Sequence, residues 1–299
     1  MRYTNKNNFH PVISKWLKND LYEYEEGVIS ATTLLKPVQA VKLYEQYKEH
    51  ITVDVEELFN ARVGTAIHES FARLNVKGYI QELRLYSKVQ GQRISGQFDF
   101  MQELPNNQYM LEDLKTTSVW TYIFESNVDI TTKQLSIYRW LAHKNGFDVI
   151  DKANILYMFV TDYNNAKARQ GGDYPKHKFA VKPVTLMSLE DTEQMIVERL
   201  NKLSSNTVNK CNDEELWKGQ DVYKVMKNDN KRSVKNCDTH DQAESHVKYL
   251  QDLDKDKGKR NKYYIDFEPG LVSRCPYCDV RQFCDQYKEL LQDNLVRER

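Results

Sequence analysis

The chain has 299 residues and a mass of 35.3 kDa; 40% of them are hydrophobic, 29% are charged, and the mean hydropathy is -0.72. This excludes a disordered chain, and the length lets roughly three-quarters of the unfolded surface be buried without a covalent staple. Lys plus Arg balance Asp plus Glu at 43 each, which excludes nucleic-acid binding by bulk positive charge while leaving room for a basic groove around an acidic centre.

The start, Met1 to Pro11, is polar and has no apolar signal core, and no run approaches the ~18 apolar residues of a membrane span. An intracellular, cytoplasmic protein is therefore expected. Residues 1–50 are helix-prone and aromatic, broken by Gly27 and Pro37, with Ser30 or Thr32 as a helix cap. Asp54 precedes an acidic first turn, and Leu58, Val63, Ile67, Phe71 and Leu74 then recur at helical spacing until Gly78. Three strands follow as a meander, at 80–89, 92–101 and 109–115, turned at Gly91 and Pro105-Asn106-Asn107. Leu135, Tyr138 and Leu141 restore helical spacing over 131–145, and 153–160 is the most apolar strand candidate, placed centrally in a sheet.

Beyond this compact α/β core, 163–180 reads as a polar, basic loop with Gly171-Gly172, and 188–203 as an amphipathic helix. The stretch Lys218 to Lys262 holds twelve Lys or Arg against eight Asp or Glu and includes a helix at 241–250. With no internal repeat and no low-complexity linker, one embellished unit over 1–299 is expected, with its core at 28–160 and an accessory region at 161–299.

Asp99 closes one strand of the meander, and Asp113 lies near the end of that strand's hairpin partner. Two carboxylates in one volume repel unless a cation neutralises them, and a divalent metal with oxygen ligands suits that need. In Asp113-Leu114-Lys115 the alternation of a strand puts Asp113 and Lys115 on one side. Lys115 can there orient or help deprotonate an attacking water, or balance developing phosphorane charge. Leu114 points the other way, its backbone carbonyl free to join a metal shell. His68, four residues after Gly64 on the upstream helix, offers an imidazole. Gln134 and Tyr138, four apart, share a helical face suited to a phosphate backbone.

Gly64-Thr65-Ala66-Ile67-His68, Ile94-Ser95-Gly96-Gln97-Phe98-Asp99, Leu111-Glu112-Asp113-Leu114-Lys115-Thr116-Thr117 and Gln134-x-x-x-Tyr138 together resemble the PD-(D/E)XK nuclease superfamily. Within it they are most similar to the RecB-like branch of phage exonucleases and CRISPR-associated nucleases. The resemblance implies a restriction-endonuclease-like core, a central mixed sheet flanked by helices, with a helical, cysteine-containing C-terminal embellishment. It implies that His68, Asp99, Asp113 and the Leu114 carbonyl bind one or two Mg²⁺ or Mn²⁺ ions, with Asp99, Asp113 and Lys115 catalytic. Gln134 and Tyr138 would hold the substrate strand. The expected activity is a metal-dependent deoxyribonuclease, an exonuclease of recombination, repair or DNA-end processing that leaves 5′-phosphates. The alternative is a binding or structural relative without catalysis, which would have no need of paired acids facing the phosphate backbone. The expected partner is DNA, as single strands or duplex ends, gripped by the basic residues near Lys167 and Arg169 and by exposed aromatics. No G-x-x-x-x-G-K-[ST] occurs, so unwinding would fall to a helicase or recombination partner. If the chain is phage-encoded, its compartment would be the host cytoplasm.

All five cysteines lie in the last third: Cys211, Cys237, Cys275, Cys278 and Cys284. In a reducing compartment metal ligands or buried thiols are expected rather than disulfides. Cys275-Pro276-Tyr277-Cys278 followed by Cys284 has ligand-like spacing and needs a fourth donor, for which Cys211 or Cys237 could serve. Several RecB-like proteins hold a [4Fe–4S] cluster with three such cysteines and one just upstream of the core. Here Lys36 stands at that upstream place, so the resemblance implies either a ligand swap or a zinc ion. The competing reading is a cap of small buried thiols with no metal.

Overall fold

The computed structural model describes residues 2–20 and 25–297, and the chain packs into two compact units. The first is built of the chain up to Val41 and of Glu49–Thr207; the second is Lys42–Lys48 with the chain from Val208 onward. None of the described helices is long and apolar enough to cross a membrane.

The elements run β1 (Arg2–Thr4), α1 (Pro11–Lys18), β2 (Val28–Ser30), α2 (Ala31–Leu35), α3 (Val38–Tyr47), β3 (Thr52–Asp54) and α4 (Phe59–Ala72). Then come β4 (Tyr79–Gln81), β5 (Arg84–Val89), β6 (Gln92–Gln97), β7 (Phe100–Glu103), β8 (Gln108–Ser118), α5 (Val119–Ile123), α6 (Val128–Lys144), β9 (Asp148–Thr161), α7 (Asn165–Gln170), β10 (Phe179–Thr185) and α8 (Leu189–Ser204). Five strands form a mixed sheet in the order β10-β9-β8-β7-β4, with β8 and β9 parallel and the other pairs antiparallel; β2, β6 and β5 form a second sheet.

The expected meander is thus broken in two places. Its first strand divides into β4 and β5 around Glu82, which adopts a φ of 49°. The second divides into β6 and β7 around Phe98 and Asp99. The hairpin crosses from one sheet to the other at these two points, and the Glu82 N–H donates to the Asp99 carbonyl at 3.0 Å across the crossing. The third strand is longer than the sequence suggests: β8 runs on to Ser118, and Asp113 lies mid-strand, just past the last residue paired with β7.

The helix expected after Asp54 begins as a short 3₁₀ turn under a capping box, in which Asp54 caps Glu56 and Glu57 returns to the Asp54 N–H. It ends at Ala72, before Gly78. α6 is buried on more than one side because it lies between the sheets and α8. Its Trp140 donates to Glu193 of α8 at 2.8 Å, while Leu135, Ile137 and Leu141 join Ile94, Phe98, Met101, Leu111 and Ile155 in the main core. Gly96 permits the approach of β6 to α6: a Cβ there would lie 2.7 Å from both Leu141 and the Tyr138 ring. Inside the expected 163–180 loop, Asn164 caps the short helix α7.

The second unit carries a three-stranded antiparallel sheet in the order β12-β11-β13, formed by Val222–Lys227 (β11), Lys235–Cys237 (β12) and Tyr263–Glu268 (β13). α9 (His240–Asp256) packs on it around Val225, Cys237 and Ala243. The expected helix at 241–250 is therefore present and longer, whereas the three strands were not anticipated. Short turns over Cys275–Tyr277 and Arg281–Phe283 lead into α10 (Asp285–Gln292).

Candidate active site

The break between β6 and β7 leaves Asp99 without a strand partner and turns its carboxylate inward. One oxygen accepts from the Leu114 N–H at 2.7 Å, and the other lies 3.3 Å from His68 Nδ1. α4 delivers His68, and the opposite break delivers Glu82, whose Oε1 is 3.8 Å from the same nitrogen. His68, Glu82 and Asp99 thus form a half-buried group whose ligand atoms all lie within 4.8 Å of one another. The Asp99 carboxylate first, and then that of Glu82, favour the protonated imidazole, outweigh burial and raise the His68 pKa to about 10.

Glu82 was not singled out in the sequence. The available signal was the lapse of strand alternation at the adjacent polar residues Gln81-Glu82. Its carboxylate is oriented by Gln97, which donates to Oε2 at 2.8 Å and is itself held by Arg84 at 3.0 Å. Oε1 is buried and accepts no hydrogen bond.

Asp113 stands beside this group, close enough that the charges of Asp99 and His68 both act on it. Burial raises its pKa to about 6, against the pull of Lys115. Asp113 and Lys115 share a strand face as expected, and their ion pair closes to 2.6 Å at Asp113 Oδ2. Burial alone would lower the Lys115 pKa, but the Asp113 charge overrides it and raises the value. Leu114 is buried on the opposite face. Glu112 also alternates away, accepting from Asn154 at 2.9 Å.

Gln134 donates to the Tyr138 hydroxyl at 2.6 Å, so the pair does share one side of α6. The Tyr138 side chain is only 5% exposed, packed over Gly96. The role expected of it reduces to whatever the Gln134–hydroxyl pair presents.

A buried Glu82 oxygen that accepts no hydrogen bond, beside an imidazole and the Asp99 and Asp113 carboxylates, makes a donor set suited to a hard divalent ion. A second group of ligand-type residues, His240, Asp241 and Glu244, lies fully exposed on the first turn of α9. It has no buried, undonated oxygen of this kind among the described residues.

In the second unit all five cysteines are free thiols. Cys211, Cys275, Cys278 and Cys284 are neighbours whose charges influence one another; burial first, then Glu215 and the other three thiols, push Cys211 up to about 12. The Cys211 backbone is fixed by Gln286, which accepts from its N–H at 2.9 Å and donates to its carbonyl at 2.8 Å. Cys237 packs separately, against Val225 and Ala243.

An imidazole and three carboxylates gather where a hairpin changes sheets, with a lysine two residues past the last acid, on a mixed sheet flanked by helices. The chain belongs to the PD-(D/E)XK nuclease superfamily, whose profile matches residues 8–285. Among solved structures it is similar to SSO0001, at 18% identity over 66% of this chain and 87% of that one, with a TM-score of 0.44. It is also similar to a phage-related exonuclease from Haemophilus somnus 129PT, at 13% identity over 64% of this chain and 78% of that one, with a TM-score of 0.28. No curated protein matches the sequence.

Proposed function

We propose that the chain is a metal-dependent deoxyribonuclease of the RecB-like branch, acting as an exonuclease on DNA ends, with its chemistry in the 28–160 core. The observation that carries this reading is the convergence of His68, Glu82 and Asp99 beside the Asp113–Lys115 pair, with a buried Glu82 oxygen that accepts no hydrogen bond.

In this reading His68, Asp99, Asp113 and the Leu114 carbonyl hold one or two Mg²⁺ or Mn²⁺ ions, and Glu82 joins them. A divalent ion there supplies Lewis-acid charge to the scissile phosphate and acidifies a water. The Leu114 N–H fixes the Asp99 carboxylate, and Gln97 fixes that of Glu82. Lys115, whose proton is held tightly by Asp113, serves as a fixed cation for the phosphorane charge rather than as a base. Gln134 and the Tyr138 hydroxyl orient the substrate strand. In the second unit, Cys211, Cys275, Cys278 and Cys284 are the set that would hold a [4Fe–4S] cluster or a zinc ion, with Cys211 as the fourth donor and Cys237 outside it. Metal analysis of protein purified without air reads that directly.

The activity is tested on end-labelled linear and covalently closed circular DNA, each with Mg²⁺, Mn²⁺ or EDTA. Wild type should degrade linear DNA only, and only with metal. Asp99→Asn and Asp113→Asn should abolish cleavage while remaining folded. Glu82→Gln should require about 10–100-fold more metal. Lys115→Ala should keep metal affinity and lose rate. Nicking of circles would make the protein an endonuclease. A folded wild type that cleaves neither these nor single strands with either metal would defeat the catalytic reading in favour of a binding module.

A further inference from the structure

β8 does not stop at the catalytic residues. Past Lys115 it continues to Ser118, which caps α5, and α5 places Trp120 and Phe124 on the surface with Trp120 38% and Phe124 71% exposed. The two rings stack at 5.9 Å with 18° between their planes. Stacked on one another at the surface, the two rings present a flat apolar area to a partner.

They end a continuous line of rings that begins at the acidic site. Tyr157, opposite Lys115 in the β8–β9 ladder, is pushed up to about 12 by burial and then by the charge of Asp113. From it the line passes through Tyr122, Phe159, Tyr163 and Tyr174 to Trp120, with successive centroids 5.2 to 6.3 Å apart. Hydrogen bonds hold the outer end in place. Ser118 donates to Asp162 at 2.6 Å, and the Tyr174 hydroxyl donates to the Asp162 carbonyl and accepts from the Asn164 N–H. Asn164 in turn caps α7, which brings Lys167 Nζ to 4.9 Å from the Trp120 ring centre.

The flanking segment carries more positive than negative charge. Between 163 and 180, Lys167, Arg169, Lys176 and Lys178 face a single acid, Asp173. Lys167 and Arg169 have no carboxylate partner among the described residues. A rigid stacked aromatic pair overhung by a lysine, with unpaired cations beside it, suits a chain that alternates flat bases with phosphates. Five residues of strand separate Asp113 from Ser118, roughly 17 Å, which is at most about five stacked nucleotides.

We propose that Trp120 and Phe124, with Lys167, form a stacking platform for single-stranded DNA that leads the strand into the acidic site. This rests on the nuclease reading for its direction, and its test separates the two.

Binding of a labelled oligothymidylate of about a dozen nucleotides, and of a blunt duplex of the same length, is measured by fluorescence anisotropy in EDTA, where nothing is cleaved. Trp120→Ala should weaken single-strand binding about tenfold, the loss of one stacked base, and Trp120→Phe should restore most of it. Phe124→Ala, at a site too exposed to affect folding, should also weaken it, and duplex affinity should stay unchanged in all three. The platform is overturned if wild type does not bind the single strand, if Trp120→Ala and Phe124→Ala bind it as wild type does, or if duplex binding falls equally. Mn²⁺-dependent hydrolysis of bis(p-nitrophenyl) phosphate, a diester too small to reach Trp120, should be unchanged in Trp120→Ala. Failure of wild type to hydrolyse it would count against the nuclease reading alone.

Discussion

With no divalent ion bound, His68 stands between two carboxylates that hold its proton to about pH 10. The sign of the effect on stability follows. The folded-state value lies above the ordinary 6.5, so the stabilisation is complete below about 6.5 and is lost as pH rises through 10. In EDTA, the urea midpoint of wild type should therefore fall between pH 6.5 and 10 more steeply than that of His68→Ala. Equal slopes would show that the His68 contacts do not matter to the fold. Asp99, Asp113 and Lys115 are legible in the sequence because their spacing fits a strand's alternation and because two nearby acids need a cation. Glu82 is not, because its place in the site depends on a backbone torsion of 49° that residue type does not reveal. The burial of Tyr138 is equally hidden, since it depends on a glycine some forty positions earlier in the chain.

Among the elements, two glycines that look alike in the sequence differ in what they permit. At Gly64 in α4 a Cβ would sit 3.4 Å from the Thr116 hydroxyl, close to ordinary contact. Gly64→Ala should be tolerated and should gain a few tenths of a kcal/mol up to about 1 kcal/mol from helix propensity. Gly96→Ala drives a methyl into Tyr138 and Leu141, both in the packed core, and should cost about 1–3 kcal/mol. Denaturant midpoints of the two variants check the contrast, and a neutral Gly96→Ala would contradict the close approach of β6 to α6. The helices α4, α6 and α8 are readable from their apolar spacing, as is β9 from its apolar run. The splitting of the hairpin is not, because both halves keep strand-like composition and only tertiary packing determines where they part.

Across the whole molecule the candidate active site and the thiols lie in different compact units. Cys278→Ser should therefore lower thermal stability or soluble yield while leaving the cleavage rate per folded molecule unchanged; a stable variant without activity would refute that separation. The strands β11, β12 and β13 escaped sequence reading because they lie in the lysine-rich stretch. Val222-Tyr223-Lys224-Val225-Met226-Lys227 shows neither clean alternation nor a continuous apolar run.

The parallel pairing of β8 with β9 also bears on synthesis. Parallel neighbours cannot be joined by a tight turn, so β8 is complete at Ser118 while its partner ends only at Thr161. At ~5–20 residues per second, Asp113 and Lys115 leave the ribosome several seconds before the strand and the crossover helix that bury them. His68, Glu82 and Asp99 have all been made by then, so the half of the site that gathers ligands precedes the half that supplies the lysine. Every residue of the acidic group is in this way made before the strand that completes its central ladder.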